Sequence, residues 1–320
     1  MSKTHLLVPS SKFSQSAYLQ ELALYVGQEL VFSDGEACLQ KIGNISITGK
    51  QIERLCHHYG QKLEEDLTYP EPIKAQNRTA DAGATHYVMM DGSMVLCRAD
   101  GWSEMKVARV FPANSILESS PKRNWIHQSQ YVAHLGNCQD FTQKLDALIE
   151  PYTHKVFVAD GAKWIWRYVE TFYPDSTQIL DYYHAKEYLH TFGRDNFSQK
   201  ADYESFIKEY TELLLDDKVA LVINNIHQIT PNSKAIASHK SLIEYYTNNS
   251  KRMMYKTFQT QGYAIGSWAM EAAHRVVIQE RVKRSGQRWT KEGVQQVVNL
   301  RVAHQRNNWS KVVDFISNAA

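Results

Sequence analysis

The sequence has little of what would place it in a specialised class of protein. It contains only four cysteines, and no two of them form a Cys-x-x-Cys pair. A disulfide scaffold and a paired-cysteine zinc or redox site are therefore excluded, and a reducing cytoplasm fits best. No apolar run approaches the length of about 18 residues that a membrane helix needs, and the N-terminus has no long apolar segment. We expect neither membrane spanning nor secretion.

The net charge is also small, since 36 Lys and Arg stand against 34 Asp and Glu. With 43% hydrophobic and 22% charged residues, the 320-residue chain has the composition of a folded protein of about two domains. The charge is unevenly distributed, because residues 251–311 contain 12 Lys or Arg and only three acids. Such a block favours a phosphate-bearing partner such as nucleic acid, although a solvated helix face gives the same pattern.

The N-terminal region predicts helices followed by a linker. Apolar residues recur at helical spacing in residues 18–30, and a second helical run is broken at Gly43. Within residues 34–63, the resulting pair of helices is either a packed hairpin or a DNA-binding helix-turn-helix. Residues 68–84 are rich in proline, polar and small residues, which is typical of an exposed loop.

From residue 85 the pattern changes to strands and then alternates. Two apolar runs flank Asp91-Gly92-Ser93, which predicts a turn there. The later elements are strands over 102–111 and 131–134, a helix over 137–149, a buried strand over 155–160, a helix over 163–172 and an extended segment from 176. This β-β-β-α-β-α-β order is that of a ribonuclease H-like fold, in which helices flank a mixed sheet.

The sequence therefore predicts an α/β protein whose ribonuclease H-like mixed-sheet core is interrupted by an all-α insertion domain. We expect four segments along the chain: an N-terminal helical region with its linker (1–84), the first part of the core (85–183), the helical insertion (184–262) and a C-terminal helical part of the core (263–320).

Two aspartates stand where a metal site could form. Asp91 lies at the apparent end of the first strand, and Asp160 ends the buried strand. If these strands are neighbours, the two carboxylates lie side by side and require a cation between them, for which Mg²⁺ or Mn²⁺ is suited. Each aspartate also has a structural explanation, since Asp-Gly is frequent in turns and an aspartate after a strand often caps a helix.

Glu271 is the candidate for a third carboxylate. It lies in the first turn of a helix that we expect Ser267 to cap, where a glutamate also favours the helix dipole. At helical spacing, residues 271, 275, 278 and 282 share one face. An acid within a basic surface favours metal-assisted phosphoryl transfer. The candidates for contacts with DNA phosphates are the basic residues nearby: Arg275, Arg281, Lys283, Arg284 and Arg288.

Trp268 is a candidate for a different contact with DNA. It stands three residues before Glu271, where an exposed indole could stack on an unpaired base at a cleaved end. The alternative is a packing role, because tryptophan is usually well buried.

A family resemblance is carried by four blocks: MMDGSMV, VFVADGAKWIW, LDYYHAKEYL and GSWAMEAAHRVVIQERVKRSGQRW. These blocks resemble the catalytic blocks of bacterial insertion-sequence DDE transposases of the Kra type, and the similarity extends over roughly residues 16–305. The resemblance implies that Asp91, Asp160 and Glu271 form the catalytic triad and bind two Mg²⁺ or Mn²⁺ ions. It also implies that Asp181 and His184 belong to a C/D-x-x-H motif, with His184 contacting the substrate unless it is a structural histidine.

The function implied by this resemblance is transposition. A bacterial, cytoplasmic and nucleoid-associated enzyme would cut DNA at the terminal inverted repeats of an insertion sequence and join the ends to target DNA. Joining two ends implies a homodimer or a larger assembly. Two alternatives stay open: a ribonuclease H-like nuclease that does not join strands, and a non-catalytic DNA-binding regulator.

Overall fold

The computed structural model describes residues 13–68, 83–120 and 123–318. The chain divides into two compact units, which are Met1–Ala82 with Gly92–Pro151 and Glu271–Ala320, and Gly83–Asp91 with Tyr152–Met270. We call them the first and the second unit. The four segments expected from the sequence stay a prediction, and most of the expected linker lies outside the described residues. A membrane-spanning helix is absent from the part of the chain that the structure describes.

The strands of the described residues form two sheets. They are β1 (Thr85–Cys97), β2 (Gly101–Pro112), β3 (Ile116–Ser120), β4 (Arg123–Ile126), β5 (Gln130–Leu135), β6 (His154–Ala159) and β7 (Thr177–Leu180). β3 pairs with β4, and the others form one sheet in the order β5-β2-β1-β6-β7. β2 and β5 are antiparallel, whereas β1, β6 and β7 are parallel. This mixed sheet confirms the predicted α/β fold class, which is consistent with a ribonuclease H-like core.

Helices precede, separate and follow the strands. The first are α1 (Ala17–Glu29), α2 (Phe32–Gly43) and α3 (Gly49–Thr68), and α4 (Cys138–Ile149) and α5 (Lys163–Phe172) lie between strands. After β7 come α6 (Tyr182–Asn196), α7 (Lys200–Leu215), α8 (Val219–Gln228), α9 (Ile236–Asn249) and α10 (Tyr255–Thr260). The last are α11 (Trp268–Ala273), α12 (Glu280–Val282), α13 (Lys291–Gln305) and α14 (Trp309–Asn318).

The turn between β1 and β2 falls at a different Asp-Gly pair from the predicted one. Asp91 and Gly92 lie inside the continuous strand β1, where a Cβ on Gly92 would collide with the Glu104 side chain of β2. The chain reverses after Asp100 instead, where Gly101 adopts a φ of 69°. Glycine tolerates this left-handed conformation, and the predicted turn at Asp91 is wrong. The sequence pattern also does not predict the hairpin of β3 and β4, whose strands are short and do not alternate clearly.

Helix α3 packs against several other helices of the first unit. It packs against α1, α2, α13 and α14. Its contact with α13 is especially close, since a Cβ on Gly60 would overlap the backbone of Gln296. The side-chain amide of Asn299 donates to the Gly60 carbonyl at 3.0 Å. A recognition helix must expose a face to DNA, and Lys50 and Arg54 of α3 are exposed, so both the packed hairpin and the helix-turn-helix stay open.

Gly60→Ala tests how closely α3 and α13 approach each other. Alanine is the better helix former, but its methyl group would have to displace the Gln296 backbone. We expect the free energy of unfolding to fall by about 1–3 kcal/mol. Gly83→Ala is the control, because a Cβ there meets nothing within 4 Å. Urea unfolding compares the two variants, and wild-type stability of Gly60→Ala would contradict the close approach.

Candidate active site

Three aspartates lie in one row across the parallel strands of the second unit. β1 pairs with β6 so that Met90 is opposite Ala159, and β6 pairs with β7 so that Ala159 is opposite Leu180. Adjacent strands are about 4.8 Å apart, and residues in register on parallel strands point to the same face. The next position on all three strands is an aspartate: Asp91, Asp160 and Asp181.

The middle carboxylate of this row is electrostatically strained. Burial raises the pKa of Asp160 above its usual value, and the neighbouring Asp91 and Asp181 carboxylates raise it further. The backbone N–H of Ala162, which donates to Asp160 at 3.0 Å, and the nearby His184 only partly oppose these effects. The structure therefore places two of the proposed metal ligands side by side, in a setting that a bound cation would relieve.

Asp181 differs from Asp160 because protein groups compensate its charge. Its Oδ1 caps α6 by accepting the backbone N–H groups of Tyr183 at 2.6 Å and His184 at 3.2 Å. Its Oδ2 accepts both the N–H of Ser267, at 2.8 Å, and the Ser267 hydroxyl. Burial alone would raise the pKa of Asp181, but the bonds with His184 and Ser267 hold it below its usual value. Asp181 is thus an anchor for two segments rather than an open metal ligand.

His184 carries a positive charge next to this row. Its Nδ1 lies 3.3 Å from Asp181 Oδ2. The bond with Asp181 outweighs the effect of burial and raises the pKa of His184 to about 9, with a further contribution from Asp160. The imidazole is therefore protonated at neutral pH and half-buried. It can bind an anionic group such as a phosphate beside Asp160.

The segment before α11 is fixed against the same anchor. A Cβ on Gly266 would lie 2.6 Å from the exposed ring of Tyr183, so a larger residue here would displace that ring. The hydroxyl of Ser267 donates to the anchoring aspartate, Asp181, and the expected capping of α11 by Ser267 stays a prediction. Two of the sequence blocks therefore meet in space. Trp268, which is half-buried, begins α11, and Glu271 lies exposed in its first turn.

The helix beyond Glu271 departs from α-helical geometry. Residues His274–Gln279 form a π-helical segment. Arg301 of α13 donates to two of its carbonyl groups, with Nε at 3.0 and 3.1 Å. Such segments shift the register of a helix surface. The predicted shared face is therefore wrong: of residues 271, 275, 278 and 282, the first two are exposed and the last two are buried.

The described residues contain no preformed set of three or more metal ligands. Among residues 13–68, 83–120 and 123–318, no group of three or more His, Cys, Asp or Glu side chains is placed to hold a metal ion. Asp91 and Asp160 belong to the second unit and Glu271 to the first. The donor chemistry of the adjacent pair nevertheless fits a hard divalent cation, since carboxylate oxygens are its preferred ligands.

One of the proposed DNA-binding arginines is buried. Arg281 has 0% of its surface exposed, and its Nε donates to the Gly27 carbonyl at 3.0 Å. Its guanidinium lies 4.7 and 4.9 Å from the ring centres of Phe32 and Trp289. Burial lowers the pKa of Arg281 to about 10. The prediction that Arg281 contacts DNA from the surface is therefore wrong.

The other basic candidates of the first unit reach the surface to different degrees. Arg284 is half-buried and donates to the backbone carbonyls of Glu280 and Glu29 at 2.6 and 3.1 Å. The exposed members of the group are Arg275, Lys283 and Arg288.

A cleft of about 840 Å³ opens beside Asp160 within the second unit. Its walls come from the loop after β6 and from α5, α6 and α9. Tyr188 and Tyr245 stack in this cleft with ring centres 3.8 Å apart and planes 14° apart. A Cβ on Gly161 would overlap the Tyr245 ring, so the residue after Asp160 must be glycine for the ring to lie there. Sequence patterns did not indicate this aromatic pair, because its members stand on helices far apart in the chain.

A protein-family model matches residues 115–316, which is more than half of the chain. The chain belongs to the uncharacterised protein family UPF0236. In this UPF0236 chain the matched stretch contains Asp160, Asp181, His184 and Glu271, whereas Asp91 precedes it.

No curated protein matches this UPF0236 chain in sequence. Among solved structures, a similar one is described as "Drosophila P element transposase strand transfer complex". It is 10% identical, with 96% of this chain and 82% of that chain covered and a TM-score of 0.36. Values this low assign neither a fold nor a function to the chain.

Asp181→Asn should lower the pKa of His184 from about 9 towards its ordinary value near 6.5, because asparagine keeps the shape but not the charge. Histidine titration by NMR in metal-free protein measures the shift. Ser267→Ala is the matched control, since it removes a donor to Asp181 and keeps the carboxylate, so the pKa of His184 should stay high.

The same pair predicts a pH dependence of stability. Because the folded-state pKa of His184 is raised, its contribution is fully present below about pH 6.5 and is lost as the pH rises through about 9. The stability advantage of the wild type over Asp181→Asn should shrink over that range. An unchanged His184 titration in Asp181→Asn would contradict the ion pair.

Proposed function

We propose that this protein is a DDE transposase of a bacterial insertion sequence, which cleaves DNA at the terminal inverted repeats and transfers the ends to target DNA. The observation that carries the proposal is the position of Asp91 beside Asp160 on adjacent parallel strands, with the pKa of Asp160 raised. The resemblance of four sequence blocks to DDE transposases supports it. So does the contact of two of these blocks through Asp181 and Ser267.

Asp91, Asp160 and Glu271 are the proposed ligands of two Mg²⁺ or Mn²⁺ ions. When bound, such ions activate a water molecule or a DNA 3′-hydroxyl and stabilise the leaving oxygen. The adjacent aspartates supply negative charge that favours cation binding over protonation at neutral pH. Ser267 helps to fix the start of the helix that carries Glu271, since it is tied to the anchoring aspartate.

The remaining residues bind and orient the DNA in this proposal. His184 forms an ion pair with Asp181 through Nδ1 and presents a positive charge beside Asp160, where it holds a DNA phosphate. In-line attack on phosphorus requires no covalent enzyme intermediate, so no Ser, Tyr or Cys nucleophile is involved. Trp268 is proposed to stack on an unpaired base at a cleaved end. Phosphates further along the DNA are proposed to contact the accessible basic residues: Arg275, Lys283, Arg284 and Arg288.

The proposed setting of the reaction follows from its substrates. Two element ends must be joined to one target, so we propose a homodimer or a larger synaptic complex. We also propose that the protein acts in the bacterial cytoplasm, at the nucleoid.

Asp91→Asn, Asp160→Asn and Glu271→Gln should each abolish strand cleavage and leave DNA binding detectable. We expect losses of at least about 1,000-fold, since a catalytic metal supplies several kcal/mol and each 1.4 kcal/mol is tenfold in rate. Asp202→Asn, at an exposed position of α7, is the control and should cleave normally. Cleavage of labelled inverted-repeat DNA measures the effect, and full activity of a variant would remove that residue from the site.

Metal binding has a readout that is independent of activity. Mg²⁺ or Mn²⁺ should raise the melting temperature of the wild type, because a ligand that binds only the folded state stabilises it. The increase should be lost in Asp160→Asn and kept in Asp202→Asn. An equal increase in all three proteins would show that the ion binds elsewhere.

Strand joining separates a transposase from a nuclease. With precut element ends, a transposase transfers the 3′-hydroxyl to target DNA, whereas a ribonuclease H-like nuclease gives only shorter products. Cleavage without any joined product would favour the nuclease. Metal-independent DNA binding without cleavage would favour the regulator.

A further inference from the structure

We propose that the cleft beside Asp160 binds an unpaired segment of a DNA strand, with phosphates on Lys163 and Arg167 and a base on Tyr188. This inference rests on the proposed function, because it assigns a substrate form to the same site. It concerns residues of the second unit alone. Each of the three residues lines the cleft.

Two cations of α5 are available in this cleft. Lys163 and Arg167 are exposed and stand one helical turn apart, about 6 Å along the axis. Within the described part of the chain, neither forms an ion pair. Arg252 in the same cleft is different, since it is buried and paired with Glu170. Lys163 and Arg167 can therefore contact different phosphates of one strand, starting three residues from Asp160.

The same cleft is lined by an aromatic platform, formed by Tyr188 and Tyr245, which come from other helices than the two cations. Tyr245 of α9 lies against Gly161, and Tyr188 of α6 stacks on Tyr245. Stacking holds the half-buried Tyr188 ring in one orientation, which reduces the entropy lost on binding. A planar base can stack on such a ring whatever its sequence. The platform therefore lies against Gly161, the residue that follows the proposed metal ligand Asp160.

The combination of two cations with a stacking tyrosine favours an unpaired strand over a duplex. A base inside a duplex is covered by its neighbours and cannot present its face to a tyrosine. The volume of about 840 Å³ lies in the range of clefts that enclose small ligands, about 300–1,000 Å³, and suits a few nucleotides rather than a double helix. Cations and a stacking aromatic together are the usual elements of single-strand binding.

Binding to labelled oligo(dT) and to a duplex of equal length, measured by fluorescence anisotropy with the full chain in EDTA, tests this inference. Tyr188→Leu should weaken oligo(dT) binding by about 5- to 100-fold, the range expected for one lost stacking contact, and leave duplex binding unchanged. Tyr188→Phe should retain wild-type affinity. Phe172→Leu, at an exposed aromatic position at the end of α5 outside the cleft lining, is the matched control and should also retain it.

The cation pair is tested by salt dependence. Lys163→Gln with Arg167→Gln should weaken oligo(dT) binding and reduce the slope of log affinity against log salt by roughly 0.7 for each charge removed. Lys200→Gln with Lys240→Gln is the control, because these exposed lysines lie on other helices of the same unit. An unchanged slope in the first variant would overturn the assignment of the phosphates.

Photocrosslinking locates the base directly. Oligo(dT) with one 5-iodouracil should crosslink to the peptide that contains Tyr188, identified by mass spectrometry. A crosslink confined to other peptides, together with wild-type affinity of Tyr188→Leu, would overturn the inference even if the protein transposes DNA. Crosslinking at Tyr188 in a protein that never cleaves DNA would support the cleft and overturn only the proposed function.

Discussion

The register of three parallel strands is the constraint on which the proposed site depends. Because β1, β6 and β7 pair without a shift, the aspartates that follow their last paired residues begin as neighbours. Like charges at this spacing repel, and each must be compensated. The negative charges of Asp181 and Asp160 are treated differently by their surroundings. Asp181 receives hydrogen bonds from His184 and Ser267, which lower its pKa, whereas the pKa of Asp160 stays raised by burial and by Asp91. The row therefore combines an anchor with a position suited to a cation.

Much of the sheet could be predicted from the sequence because its signals are local. A continuous apolar run ending in Asp160 predicts a buried strand, and β6 ends one residue before it. The amphipathic pattern predicts α5 with the bounds that the structure shows, Lys163–Phe172. The first turn was misplaced because residues 85–101 contain two Asp-Gly pairs, Asp91-Gly92 and Asp100-Gly101, and of these two glycines only Gly101 adopts a positive φ. Local sequence does not reveal which pair lies inside a strand.

Features that depend on distant residues could not be predicted. A basic residue in a basic segment is expected at the surface, but Arg281 is held inside by the Gly27 carbonyl and two aromatic rings. Helical spacing fails after Glu271 because a π-helical segment, contacted by Arg301, changes the face that each residue presents. The stacked pair of Tyr188 and Tyr245 could not be predicted for the same reason, because its members stand on helices far apart in the chain. The local signal for this pair is Gly161, which lacks the Cβ that would overlap the Tyr245 ring.

We propose that Asp91 and Asp160 share a divalent cation while Asp181 serves as an anchor. Anomalous diffraction from crystals soaked in Mn²⁺ tests this proposal. We predict an anomalous peak at about 2 Å from oxygens of both Asp91 and Asp160, with the bonds from Ser267 to Asp181 intact. A peak coordinated by Asp181 in place of Asp91, or the absence of Mn²⁺ from this row at a concentration that supports cleavage, would show that Asp91 and Asp160 do not share a cation.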